Sequence, residues 1–242
     1  MVAVDSAHKP GTIVLAQGQL GRYTEFEQSL DRLQVPRGTK IDRVPSGCCA
    51  YGANLGIRER MGEWVWLIDD DHTFRPDLLL ALLGHNLPLV APLVPDRWAP
   101  FNLVLYKELG NRDNRFVSVP YHVEEIKEKR GLLRVAGLPK AGLLARDVVF
   151  RTMPDPWFKI GRISPDQIDD DRLFMWEARE RYGFELWADV EQHMPHLNTT
   201  SIGLVRGGDG VLSLRLTVGG YHFPLESPTP AELARQRSAS GA

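Results

Sequence analysis

Cysteine is scarce in this chain, which has only Cys48 and Cys49 among its 242 residues. Neighbouring cysteines rarely bridge each other, and the sequence contains no Cys-x-x-Cys or Cys/His ligand spacing. This argues against a disulfide-stabilised scaffold and against a zinc ribbon. Reduced thiols are typical of the cytoplasm, and we predict that location.

An excess of charge of one sign is also absent. The chain has 29 Lys and Arg against 31 Asp and Glu, which gives a formal net charge of −2 at pH 7. Proteins that coat nucleic acids or bind anionic membranes through a basic surface need clustered positive charge. The balance argues against both classes, although a local basic groove stays open.

The sequence has no long hydrophobic run. Its most apolar stretch, residues 78–94, is interrupted by Pro88 and Pro92, whereas a membrane-spanning helix needs about 20 largely apolar residues. Residues 1–9 lack the basic-then-apolar order of a signal peptide. We therefore predict no membrane span.

The first 70 residues alternate between apolar runs and segments with helical periodicity. We predict strands at residues 12–16, 40–44 and 64–68, with helices at residues 25–33 and 50–61 between them. The five consecutive apolar residues of segment 64–68 are typical of a strand covered on both faces. This order predicts an α/β fold with a mostly parallel central sheet flanked by helices.

Further elements are expected along the rest of the chain. We predict strands at 87–93, 132–135, 184–190 and 211–218, helices at 78–83 and 172–182, and a strand followed by a helix within 143–150. Residues 107–130 are polar and predict an exposed excursion. We assign residues 1–225 to a single domain, and residues 226–242, rich in Pro, Ser, Arg and Ala, to a disordered tail.

Three aspartates, Asp69, Asp70 and Asp71, follow the strand predicted at residues 64–68. Ligands of open α/β sheets bind beyond the carboxyl ends of the strands, where this triplet lies. In an extended segment Asp69 and Asp71 point the same way, and such a pair suits Mg²⁺ or Mn²⁺ while leaving sites for phosphates. The alternative is a solvated acidic turn with a helix N-cap.

Two further groups of polar residues suggest chemistry. Asp169, Asp170 and Asp171 open the helix predicted at residues 172–182, where carboxylates stabilise the helix dipole or act as a general base. His193 and His196 follow the strand predicted at residues 184–190, and imidazole is a common metal ligand. A surface loop is the alternative explanation for the two histidines.

The order and spacing of these features resemble the GT-A-type glycosyltransferases, especially family-2-like members from bacteria and bacteriophages. The matching segments are residues 64–79 (WVWLIDDDHTFRPDLL), residues 137–150 (GLPKAGLLARDVVF) and residues 169–197. The likeness covers the chain from about residue 11 to residue 200. It implies a Rossmann-like GT-A domain and transfer of a sugar from a nucleotide-diphosphate sugar, most simply a UDP-linked one, to an acceptor hydroxyl.

The resemblance also implies a divalent cation, Mn²⁺ or Mg²⁺, and a set of residues that hold it. Asp69 and Asp71 match the Asp-x-Asp pair, with Asp71 as a metal ligand and Asp69 near the metal or the donor ribose. Asp70, between them, is assigned to donor binding. His196 matches the histidine that completes the metal site, and His193 is the competing choice.

Catalytic and donor-binding residues follow from the same resemblance. Asp171 matches the catalytic base, with Asp170 as the alternative, and a single displacement assisted by this base inverts the anomeric centre. Residues 16–18 (Ala16, Gln17 and Gly18) and Asn54 occupy the places that bind the nucleoside. For Asn54 the alternative is a structural role at the start of a helix.

Two other functions stay open. A sugar nucleotidyltransferase would also use carboxylates and Mg²⁺, but residues 17–22 match its Gly-rich phosphate loop poorly. A non-catalytic carbohydrate-binding protein that retains the fold is the third reading. The acceptor, whether a glycan, a protein or a modified nucleic acid, and the oligomeric state are not determined by the sequence.

Overall fold

The three-dimensional structure is a computed structural model. It describes a large part of the chain: residues 1–17, 23–45, 49–97, 101–112, 115–159, 161–162, 167–168, 170–197, 201–206, 210, 212–218 and 221–225. Gly18, Asp169 and the predicted tail at residues 226–242 lie outside the described residues.

Helices and strands alternate through the first two thirds of the chain. The described helices are α1 (Thr24–Arg32), α2 (Cys49–Arg58), α3 (Leu78–Gly84), α4 (Val123–Ile126), α5 (Asp147–Thr152) and α6 (Asp170–Glu180). The described strands are β1 (Val2–Val4), β2 (Thr12–Gln17), β3 (Gln34–Pro36), β4 (Lys40–Pro45), β5 (Trp64–Asp69), β6 (Leu89–Leu93), β7 (Tyr106–Arg112), β8 (Arg115–Pro120), β9 (Leu132–Val135), β10 (Leu144–Arg146), β11 (Gly161–Arg162), β12 (Gln167–Ile168), β13 (Leu186–His193), β14 (His196–Leu197), β15 (Ser201–Arg206), β16 (Leu212–Val218) and β17 (Tyr221–Leu225).

The central sheet has seven strands in the order β4-β2-β5-β10-β6-β13-β9. β2 pairs in parallel with β4 and β5, and β6 pairs in parallel with β13. β10 runs antiparallel to both β5 and β6, and β9 runs antiparallel to β13. The α/β fold with flanking helices is confirmed, but the prediction of a mostly parallel sheet was wrong. An apolar strand has the same residue pattern in both directions, so the sequence did not reveal the reversal of β10.

The apolar run of β5 supplies both hydrophobic cores. Val65 and Leu67 pack into the cluster that contains buried residues of α2, α5 and α6. Trp64, Trp66 and Ile68 pack into the cluster that contains buried residues of α1 and α3. Burying one large apolar side chain is worth about 1.5–3 kcal/mol, so β5 anchors the residues that follow it.

Residues 107–130 are more ordered than an exposed excursion. They contain the antiparallel hairpin of β7 and β8 and the helix α4. Leu109, Val123 and Ile126 are buried in the core, so this prediction was wrong, because a few apolar side chains suffice to dock a polar segment. A second, four-stranded antiparallel sheet, β14-β15-β16-β17, follows β13.

The longest described helix, α6, has 11 residues. Among the described residues, no helix combines the length and the apolar character needed to cross a membrane.

Candidate metal centre

The candidate centre lies where β5 ends. Asp69 is the last residue of β5 and pairs with Ala16 of β2, while Asp70 and Asp71 form the turn that leaves the strand. Side chains alternate between faces only within a strand, so the expectation that Asp69 and Asp71 point the same way does not apply beyond Asp69. The neighbour that joins Asp71 is His72.

Asp71, His72 and His196 form a compact cluster. One ligand atom from each residue can be chosen so that all three lie within 4.8 Å of one another. His72 Nδ1 lies 2.8 Å from Asp71 Oδ1, and His196 Nε2 lies 3.3 Å from Asp71 Oδ2. The side chains of His72 and His196 are buried, with 1% and 8% of each residue exposed.

His72 has unsatisfied polar atoms within the cluster. Among the described residues, neither of its ring nitrogens has a hydrogen-bond partner, and neither does Asp71 Oδ1, because the 2.8 Å contact between them lacks hydrogen-bond geometry. A buried polar group without a partner costs about 1–3 kcal/mol. Adjacent ligand atoms around one Mg²⁺-sized ion lie about 3 Å apart, so this spacing fits two ligands of a shared cation.

The orientation of His196 presents one nitrogen to the cluster. Its Nδ1 lies 3.1 Å from the carbonyl oxygen of Pro95. A carbonyl oxygen only accepts hydrogen bonds, so Nδ1 carries a proton and donates to Pro95, and Nε2 is the nitrogen that faces Asp71. Metal-binding histidines are commonly oriented by such a bond from the other ring nitrogen.

Backbone pairing holds the two segments of the cluster together. His72 and His196 form a single antiparallel bridge. Next to it, the Leu197 N–H donates to the Asp71 carbonyl oxygen at 2.6 Å. The cluster is therefore placed by secondary structure that joins the turn after β5 to the start of the second sheet.

Asp71 is ionised at neutral pH and faces a further cation, Arg97. Burial by itself would raise the pKa of Asp71, but the contacts with His196 and His72 outweigh it and hold the pKa well below its ordinary value. The Arg97 Nη2 donates to Asp71 Oδ2. Arg97 thus neutralises the carboxylate on which the cluster is centred.

The two predicted base residues differ in their surroundings. The Lys140 Nζ donates to Asp170 Oδ2 at 2.9 Å, and the two side chains are only 10% and 17% exposed. Asp171 Oδ1 accepts a hydrogen bond from the Arg172 N–H at 2.7 Å. Both carboxylates lie in the first turn of α6.

The residues predicted to bind the nucleoside are only partly brought together. Ala16 and Gln17 end β2 at the same edge of the sheet as Asp69. Asn54 is buried within α2, and its Oδ1 accepts from the N–H groups of Trp157 and Phe158, both at 3.0 Å.

The other polar group of Asn54 has a protein partner as well, since Nδ2 donates to the Phe158 carbonyl oxygen at 2.6 Å. The amide therefore fastens residues 157–158 to α2. Nucleoside binding by Asn54 stays a prediction, beside this observed structural role.

Sequence reasoning missed three residues of this region: His72, Arg97 and Lys140. The signal for His72 was its position directly after the acidic triplet. Arg97 and Lys140 gave no signal, because an isolated basic residue in a loop is common. His193, the competing ligand, is not a member of the Asp71–His72–His196 cluster, and donor binding by Asp70 and metal binding by Asp69 stay predictions.

Comparison with known protein families finds no match for this chain, and comparison with curated proteins finds none either. Among solved structures, A197 from STIV superimposes with a TM-score of 0.51 at 10% sequence identity. The alignment covers 87% of this chain and 95% of A197. At this identity the similarity shows a shared fold.

Proposed function

We propose that this protein is a metal-dependent glycosyltransferase that moves a sugar from a nucleotide-diphosphate sugar to an acceptor hydroxyl. The observation that carries the proposal is the cluster of Asp71, His72 and His196 directly beyond the carboxyl end of β5. In α/β sheets this edge is where ligands bind. The expected donor is UDP-linked, and the acceptor is a glycan, a protein or a modified nucleic acid.

The chemistry of the cluster supports a divalent cation. It offers one carboxylate oxygen and two imidazole nitrogens, and imidazole favours Mn²⁺ and its transition-metal neighbours over Mg²⁺. Bound there, the cation supplies charge neutralisation for the departing nucleoside diphosphate. Asp71, His72 and His196 would hold the ion, and Asp69 is a further proposed contact to the metal or the donor ribose.

Asp171 is the proposed general base. Its carboxylate takes the proton of the acceptor hydroxyl while the acceptor oxygen bonds to the anomeric carbon. The bond from that carbon to the diphosphate oxygen breaks in the same step, and its electron pair leaves with the nucleoside diphosphate. This displacement inverts the anomeric centre. Asp170, whose carboxylate contacts Lys140, is the alternative base.

Nucleotide release from a panel of nucleotide sugars tests the proposal. We expect nucleoside diphosphate release that requires Mn²⁺ or Mg²⁺, stops in EDTA and is lost in Asp71→Ala. The control is His8→Gln, since His8 is remote from the cluster in sequence and lies on a half-exposed surface segment. Equal release by Asp71→Ala and the wild type would rule out the metal centre.

The same assay separates the two alternative functions. Pyrophosphate release from a nucleoside triphosphate and a sugar phosphate would identify a nucleotidyltransferase. Carbohydrate binding without turnover of any donor, with glycan, protein and nucleic-acid acceptors present, would identify a binding protein.

A further inference from the structure

Two neighbouring cavities lie beside the metal centre and share lining residues. The first, of about 460 Å³, lies between α1 and residues 73–76. The second, of about 380 Å³, is lined by residues of β13, β15 and β16. Arg75 and His193 line both cavities, so the two volumes meet at this pair of side chains.

The cavities are tied to the cluster through its own backbone. Thr73 directly follows His72, Pro195 directly precedes His196, and both line the first cavity. The Thr73 N–H donates to the Pro195 carbonyl oxygen at 3.0 Å. Arg75 is three residues from His72, a span of at most about 10 Å.

His193 is the unexplained member of this surface. It is half-buried, and within the described part of the chain its imidazole makes no hydrogen bond or ion pair. Burial lowers the pKa of His193, and the positive charges of Arg75 and Arg206 lower it further. The electrostatic potential at the imidazole is therefore positive, and an anion placed there is attracted.

The two guanidinium groups differ in how firmly they are held. Arg206 donates to the carbonyl oxygens of Gly210 at 2.8 Å and Val190 at 3.0 Å, which fixes its charge in place. Arg75 pairs with Asp77, but both side chains are about half exposed. Exposed pairs contribute at most about 1 kcal/mol, so Arg75 is able to turn towards a ligand.

Two carboxylates also line the cavities. Glu191 lies 3.5 Å from Arg206 Nε and accepts a hydrogen bond from the Gly131 N–H, so its charge already has partners. Glu25, on α1, lines the first cavity together with His193. Neither carboxylate is among the groups that change the pKa of His193.

We propose that His193, Arg75 and Arg206 form an oxyanion site that binds a phosphate or carboxylate group of the acceptor. The imidazole donates a hydrogen bond, and the two guanidinium groups supply charge and further donors. The identification of the ligand as the acceptor rests on the proposed transferase function. The oxyanion site itself does not.

Inorganic phosphate and acetate are the probes, and the chemical shift of the His193 imidazole is the readout. The protein has seven histidines, so His193→Gln assigns the signal. In EDTA we expect each probe to shift the His193 signal saturably, while the signals of His72 and His196 stay unchanged. Whichever of phosphate and acetate binds with the higher affinity identifies the class of the ligand. Arg75→Gln should weaken binding of the probe roughly tenfold. The control is Arg37→Gln, which should leave binding unchanged, because Arg37 is an exposed residue that pairs with Asp5.

A second arm identifies which substrate supplies the anion. With UDP and diamagnetic Mg²⁺ saturating, a persistent response of His193 to the probe supports an acceptor site, and its loss assigns the site to the donor phosphates and overturns the proposal. No saturable response, or an equal response in Arg75→Gln, also overturns it. Asp71→Ala should keep phosphate binding, so a failed transferase function and a failed oxyanion site give different results.

Discussion

The imidazole rings of His72 and His196 lie 4.2 Å apart between centroids and are tilted by 34°. Their backbones form the single bridge that joins the turn after β5 to β14. Two histidines far apart in sequence thus contact the two oxygens of one carboxylate, that of Asp71. The candidate metal centre therefore depends on the fold, and this relationship leads to the first prediction.

Replacing His72 by Leu should separate metal binding from folding. In EDTA, we expect the stability of His72→Leu to stay within about 1 kcal/mol of the wild type, because the lost contact with Asp71 is offset by the removal of a buried Nε2 that lacks a hydrogen-bond partner. Mn²⁺ affinity, measured by electron paramagnetic resonance, should fall at least about tenfold. His8→Leu is the control. Unchanged Mn²⁺ affinity in His72→Leu would exclude His72 as a ligand.

Arg97 should compete with the metal ion. Since its guanidinium donates to Asp71 Oδ2, a cation bound to that carboxylate must displace it. Arg97→Gln should therefore bind Mn²⁺ about two- to fivefold more tightly, as expected for a partly exposed charge pair. Arg37→Gln controls for the lost positive charge. Weaker Mn²⁺ binding in Arg97→Gln would show that Arg97 supports the site instead.

His193 should make the protein less stable in acid. Its pKa in the folded state lies below the ordinary value, so the unfolded chain takes up the proton first as the pH falls through about 6.5. Wild-type stability should fall across that range and level off below the folded-state pKa. In urea unfolding at pH 7.5 and pH 5, His193→Gln should lose less stability than the wild type. An equal loss would contradict the shift.

Asn54 should contribute to stability through residues 157–158. Asn54→Ala leaves the buried N–H groups of Trp157 and Phe158 without their acceptor, and we expect a loss of about 2–4 kcal/mol in the free energy of unfolding. Asn111→Ala, on the exposed hairpin, is the matched control. UDP binding by the folded variant tests the other role, since a selective loss of UDP affinity would place Asn54 in the donor site.

Asp170 and Asp171 should respond differently to removal of their charge. Asp171→Asn should lower kcat about 10²- to 10⁴-fold when compared at equal fractions folded, as expected for a general base. Asp170→Asn should destabilise the protein by about 3 kcal/mol, because it removes the carboxylate that buried Lys140 contacts. A larger rate loss in Asp170→Asn than in Asp171→Asn, at equal fractions folded, would reverse the assignment.

Most elements of the α/β core were predictable from local patterns. The apolar run of β5 and the periodicity of α6 depend on burial and on helical spacing, which a sequence displays directly. The direction of β10 was not predictable, because Leu144, Ala145 and Arg146 read the same way in a parallel or an antiparallel strand. The hairpin of β7 and β8 was not predicted because β7 is mostly polar and charged, although β8 contains Phe116, Val117 and Val119.

The candidate site, too, was predictable from the sequence only in part. The sequence by itself determined that carboxylates, including Asp71, follow a buried strand, because a strand end and its polar neighbours are adjacent in the chain. Only the tertiary structure decided which side chains join Asp71. His72, and not Asp69, belongs to the cluster, because β5 ends at Asp69 and the chain turns at the next two residues. Arg97 and His196 contact Asp71 from segments that are distant in sequence, and no local pattern encodes such contacts.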